Sequence, residues 1–165
     1  VFFLLCYTLL NFKAMKAQYR KLDGTPVNDL AEYVKEYLMK YPEVALSVGS
    51  DSQNIGGSSL FATVVAFRHP GKGVHFVLTK KREPLNSDII TRLFKESEDS
   101  IETAEYLRAR NINHPITIDV DYNEDEQFKS HKVIPMVKGW ILGLGYGMCT
   151  KQDVQVASIA ADHLL

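Results

Sequence analysis

Two aspartates stand in stretches that otherwise read as buried strands. Asp51 follows the small and apolar run of "LSVGSDSQ" (residues 46–53) and is flanked by Gly49, Ser50 and Ser52, with no adjacent Lys or Arg. Asp119 lies inside "TIDVDYN", close to Ile116, Ile118 and Val120, and Asp121 follows two residues later, on the same side of an extended chain. A carboxylate in such surroundings is costly to bury unless a cation or hydrogen-bond donors meet it. Carboxylate oxygens suit hard divalent cations, provided that several of them converge from different elements. The plainer reading of Asp51 is a turn cap ahead of a Gly/Ser loop. Further carboxylates follow in the second half of the chain: Glu96, Glu98 and Glu102 in "LFKESEDSIETAEYL", and Asp153 and Asp162 in "KQDVQVASIAADHLL".

The hydrophobic pattern supplies elements that could position them. Asn28 is expected to cap a helix whose apolar residues Leu30, Val34, Tyr37, Leu38 and Tyr41 recur at helical spacing until Pro42. Residues 44–51 predict a strand, "QNIGGSSL" a hairpin loop, "LFATVVAFRH" a second strand, "PGKG" a turn and "VHFVLTKKRE" a third strand. Three strands joined by short turns form an antiparallel meander. Pro84 closes it, and Ser87 or Asn86 is expected to cap a long helix ending near Asn111. "HPITIDVDYN" predicts a short buried strand, "NEDEQ" an acidic loop, and "FKSHKVIPMVKGWILGLG" a helix that Pro135 kinks. "YGMCTKQD" gives a last short strand and turn, and "VQVASIAADHLL" a final helix. The order βββαβαβα after an N-terminal helix predicts an α/β layered sheet with mixed strand directions.

Composition bounds the partners. With 165 residues, 45% of them apolar and 24% charged, the chain suits one globular domain. A formal net charge of −1 gives no global basic signal, so a nucleic acid would have to meet a local patch. "TKKRE" (residues 79–83) and Lys129, Lys132 and Lys138 are the basic groups available for one, although such runs are usually solvated. Cys6 and Cys149 lie far apart, without zinc or disulfide spacing, which fits a reducing cytoplasm. The opening "VFFLLCYTLL" is apolar but too short to span a bilayer and lacks a basic region before it. Residues 1–14 are therefore expected to be a non-native or disordered extension, and residues 15–165 a single domain. His69, His75 and His114 lack metal spacing, and Trp140 is expected to pack its helix on the sheet. No Walker loop, GxGxxG, HExxH or GxSxG occurs.

"VGSDSQ", "TIDVDYN", "VKGWILGLGYG" and "KQDVQVASIAADH", in this order, resemble the YkuK-like branch of the ribonuclease H-like superfamily, a bacterial group, over roughly residues 27–165. One departure is Thr117, which stands where members of that branch tend to carry His two residues before the strand aspartate. The resemblance implies a ribonuclease H-like mixed sheet and a metal-dependent nuclease that hydrolyses phosphodiesters with two divalent ions, Mg²⁺ or Mn²⁺, held by carboxylates. Its substrate would be RNA, DNA or a hybrid, and no membrane is implied. Asp51 is the first expected ligand, and Asp119 is preferred to Asp121 because it matches the branch's motif and sits within the apolar run. On the long helix, Leu93, Ser97, Ser100 and Ala104 form a small seam; Glu96 and Glu98 flank it on opposite sides, and the resemblance favours Glu96. Asp153 stands where related nucleases place the fourth carboxylate. Asp162 lies about 13 Å further along a helix at 1.5 Å per residue, so the two cannot serve the same ion pair. The rival expectation is a non-catalytic module of the same fold that binds nucleic acid or a protein.

Overall fold

Residues 45–84 form three long strands, of which the central one in sequence buries both of its faces for much of its length. In the computed structural model, which describes residues 17–122, 127, 129–151, 153 and 155–165, these are β3 (Ala45–Ile55), β4 (Ser58–His69) and β5 (Gly73–Pro84). The expected extension at residues 1–14 and most of the acidic "NEDEQ" loop lie outside the described residues. A short hairpin, β1 (Tyr19–Lys21) and β2 (Pro26–Val27), adds to the free side of β5. On the other side, β6 (Ile116–Asp119) pairs parallel to β3, and β7 (Gly147–Cys149) pairs parallel to β6. The sheet order is β2-β1-β5-β4-β3-β6-β7. The predicted meander, mixed sheet and βββαβαβα order are all present. The edge hairpin is an addition, since residues 19–27 carry too short a pattern to read as strands.

The helices are α1 (Leu30–Lys40), α2 (Ile89–Ala109), α3 (Ile134–Gly143) and α4 (Ala157–Leu164). One face of the sheet carries Leu46, Val48, Val65, Phe67, Val77, Ile116 and Ile118, which join buried residues of α1, α2 and α3 in the main core. The other face carries Ala62, Val64, Ala66 and Leu78 beneath Ala157 and Ala161 of α4. Alanine on both sides of that contact lets α4 lie close. Gly49 completes the fit, because a Cβ there would stand 2.5 Å from the backbone nitrogen of Ser158.

Several local expectations are corrected. The loop predicted over residues 53–60 shrinks to Gly56 and Gly57, both at positive φ, with Ile55 paired to Ser58. Glycine tolerates that conformation without a Cβ penalty, so a two-residue turn closes the hairpin and both strands lengthen. The caps of α1 and α2 are Asp29 and Asp88, each one residue beyond or more from the Asn and Ser expected, with a carboxylate accepting the first-turn N–H groups. Pro135 does not kink a helix but begins one: it occupies the first turn of α3, where no N–H partner is required, and a 3-10 turn at Lys129–Lys132 precedes it. Trp140 is 38% exposed rather than packed on the sheet, because Val137 and Ile141 fill the inward face of α3. None of the four helices is long and apolar enough to cross a membrane, among the described residues.

Candidate functional site

The parallel register decides which carboxylates meet. Gly49 pairs with Asp119, the last residue of β6, while β3 continues to Ile55. Past that point β3 has β4 on one side and the end of β6 on the other, a strand-end crevice of the kind in which open α/β sheets bind ligands. Asp51 stands there, in the middle of its strand rather than at its end. Its carboxyl is pushed up to about 6, chiefly by burial, with the charges of Asp162 and Asp121 and a carboxyl hydrogen bond to Asp162 adding to the rise. Asp121 lies just past the last paired residue of β6, where its charge reaches Asp51. Lys151 pairs with Asp121 at 3.1 Å.

Glu96 approaches from the other face. It is 6% exposed, and Ser52 donates a hydrogen bond of 2.5 Å to its Oε1. Burial drives its carboxyl up to about 8; the charges of Asp51 and Asp121 push the same way, while Ser52 and Arg92 oppose. The seam predicted on α2 makes this approach possible. Leu93, Ser97, Ser100 and Ala104 are all buried, and the Ser100 hydroxyl donates to Ser50, itself hydrogen-bonded to Thr63. Glu98 faces outward, 3.6 Å from Lys95.

Asp119 and Asp153 lie elsewhere. Asp119 is 2% exposed, but its Oδ2 accepts the backbone N–H groups of Val156 at 2.9 Å and Ala157 at 2.7 Å. Val156, at the start of α4, makes no side-chain cap bond of its own, so Asp119 caps that helix from a neighbouring strand. The buried carboxylate is met by donors, which is one of the two conditions its sequence context demanded. Asp153 precedes α4 instead of opening it. It is exposed, and its Oδ2 accepts the Thr150 N–H at 2.9 Å within a turn. The short final helix moves the carboxylate near Asp51 from Asp153 to Asp162, nine residues on.

The sequence matches the family described as ribonuclease H-like over residues 27–164. The chain belongs to the ribonuclease H-like family. No curated protein matches it significantly. In this ribonuclease H-like domain the strand-end cluster comprises Asp51, Asp121 and Asp162, with Glu96 held behind Ser52. The donor chemistry suits a hard divalent cation, being all oxygen and mutually repulsive. Among the described residues, no three His, Cys, Asp or Glu side chains are already arranged to hold a metal ion. The sequence offers Asp121 and Asp162 only as alternatives to Asp119 and Asp153. The signal for Asp121 is its place two residues after Asp119, just past the end of β6.

The remaining polar groups are mostly engaged. His75 bonds the Tyr33 hydroxyl at 2.7 Å, His69 bonds Tyr37 at 2.8 Å, and His114 bonds the Val44 carbonyl at 2.8 Å. Within the basic run, Lys80 donates to the Leu164 carbonyl, Lys81 pairs with Asp99 and Arg82 donates to Ser58. Lys132 and Lys138 are exposed.

Proposed function

We propose that this ribonuclease H-like domain is a metal-dependent nuclease that hydrolyses phosphodiester bonds at the end of β3. Asp51, Asp121 and Asp162 would hold Mg²⁺ or Mn²⁺, with Glu96 as a fourth carboxylate on the opposite side of the strand. A bound divalent ion would supply positive charge for activating water and stabilising the leaving oxygen. The observation that carries this reading is the placement of Asp51: a half-buried carboxyl, pushed up to about 6, faces two others, and no ion pair to a Lys or Arg relieves it among the described residues. Such a cluster binds a cation at the cost of releasing protons. Ser52 holds Glu96 toward the crevice, and Asp119 fixes the start of the helix that carries Asp162. In this reading Asp119 and Asp153 support the site rather than ligate. The likeness to the YkuK-like branch supports the assignment and a nucleic-acid substrate, RNA, DNA or hybrid.

A second reading has its own observation. Because no three ligating side chains are preassembled among the described residues, a non-catalytic module that binds nucleic acid or a protein through the same crevice is the alternative. Cleavage of RNA, hybrid and branched DNA substrates with Mg²⁺ and Mn²⁺ separates them. Asp51→Asn and Asp162→Asn are expected to lower the rate by roughly 100-fold or more, an effect of the size seen when an electrostatic catalytic group is removed, whereas Asp153→Asn stays near wild type. Equal loss in Asp153→Asn would return the fourth position to that residue. No metal-dependent cleavage of any substrate would leave the binding module.

A further inference from the structure

Arg92 carries a guanidinium that the fold leaves unpaired. It lies in the first turn of α2, half-buried, and its Nε is shielded from solvent without a hydrogen-bond partner among the described residues. Its two terminal nitrogens are not closed off in this way, and no hydrogen bond or ion pair engages them among the described residues. Other cations of β5 and α2 are tied: Lys81 meets Asp99, Lys95 meets Glu83 and Glu98, and Arg108 meets Glu105. A partly buried guanidinium without an anion costs stability, because burial removes hydration and nothing replaces it. Its charge is delocalised over the whole fork, so an anion at the open terminal nitrogens compensates it without reaching Nε.

Two contacts fix how α2 runs over β3. Ser100 donates to Ser50 and Ser52 donates to Glu96, so the helix descends as the strand advances. Arg92 is one further turn from Glu96 on the same helix face, toward the part of β3 that has passed its last partner on β6, Asp119. Its charge favours the ionised form of Glu96, yet the two make no ion pair among the described residues. The cation therefore borders the carboxylates without being consumed by them. A polyanion approaching Asp51, Asp121 and Asp162 meets repulsion that such a cation offsets, and phosphate oxygens match the guanidinium fork through two parallel N–H donors. We propose that Arg92 is a substrate-binding residue that grips a backbone phosphate of a nucleic acid beside the carboxylate crevice. This rests on the nucleic-acid reading of that crevice and names the residue that holds the strand there.

Fluorescence anisotropy with a labelled single-stranded RNA and with its RNA–DNA hybrid, in EDTA and over a series of salt concentrations, tests this in the full chain. Arg92→Met keeps an apolar stem and removes the fork. It should bind about tenfold more weakly at low salt, as loss of hydrogen bonds to a charged group implies. The slope of log K against log salt should also shrink by about 0.7 to 0.9, the share of one phosphate contact. Arg92→Lys should keep the slope, because the charge remains, and lose severalfold in affinity with the fork. The melting temperature of Arg92→Met should equal or exceed that of wild type, since an unpaired N–H is removed. Binding is read without a divalent ion, so a protein that holds either probe through Arg92 and cleaves neither would sustain this proposal while defeating the nuclease reading. Wild-type affinity and slope in folded Arg92→Met protein would overturn it, whether or not the wild type cleaves. So would a lowered melting temperature with unchanged binding, or absence of saturable binding of both probes by the wild-type protein.

Discussion

Asp119 and Asp51 show how two similar aspartates acquire different work. Both are carboxylates in apolar strands, on the same face of neighbouring strands, yet Asp119 meets two backbone N–H groups and Asp51 meets other carboxylates. The difference follows from where α4 starts. Its first amides need an acceptor, and the residue opposite Gly49 is the one that reaches them. Removing that acceptor should cost stability. Asp119→Ala is expected to destabilise the fold by roughly 1–3 kcal/mol, the range for a lost helix cap with its donors left buried, as read from the midpoint of urea unfolding. Asp51→Asn removes a charge that burial disfavours and should leave that midpoint unchanged or raised.

Among the elements, α4 has the most exacting placement. It packs on β3 and β4 through alanines, with Gly49 leaving room for its first turn to approach β3. Backbone from Ala157 and Ser158 fills the space beside Gly49. A methyl group at Gly49 meets backbone, which cannot swing aside like the tip of a side chain. Gly49→Ala should therefore displace α4 and carry Asp162 away from Asp51, at a cost of roughly 1–3 kcal/mol for overpacking. Amide hydrogen exchange should show faster exchange concentrated in α4. Unchanged protection there would mean that strand and helix separate more easily than their contact implies.

At the scale of the whole molecule, the crevice trades stability for charge. The folded carboxyls of Asp51 and Glu96 stand at about 6 and about 8, above their ordinary values of 3.8 and 4.5. Groups raised in this way contribute stability that is fully present below the unfolded values and lost as pH rises through the folded ones. The penalty therefore grows between about pH 4 and 8. Glu96→Gln should be more stable than wild type by on the order of a few kcal/mol above pH 8 and indistinguishable near pH 4, measured by melting across that range. His75 works in the other direction. Burial lowers its value, so its contribution is present above its ordinary 6.5 and declines as pH falls. Its loss sets in below neutrality and is separable from that of Glu96 by His75→Gln.

Local pattern was enough for the order of strands and helices, the antiparallel meander and the small-residue seam on α2, while the preference for Glu96 over Glu98 beside that seam needed the family resemblance. Alternation and helical spacing depend on near neighbours in the chain, so they are written into short segments. The same holds for the presence of carboxylates in apolar strands. Which aspartates share the crevice was decided by the tertiary structure alone. Asp121 comes near Asp51 just past the end of β6, which pairs parallel to β3, and Asp162 replaces Asp153 because α4 begins only at Ala157. A one- or two-residue change in register or helix start moves a carboxylate to another face or out of reach, and no local pattern measures either.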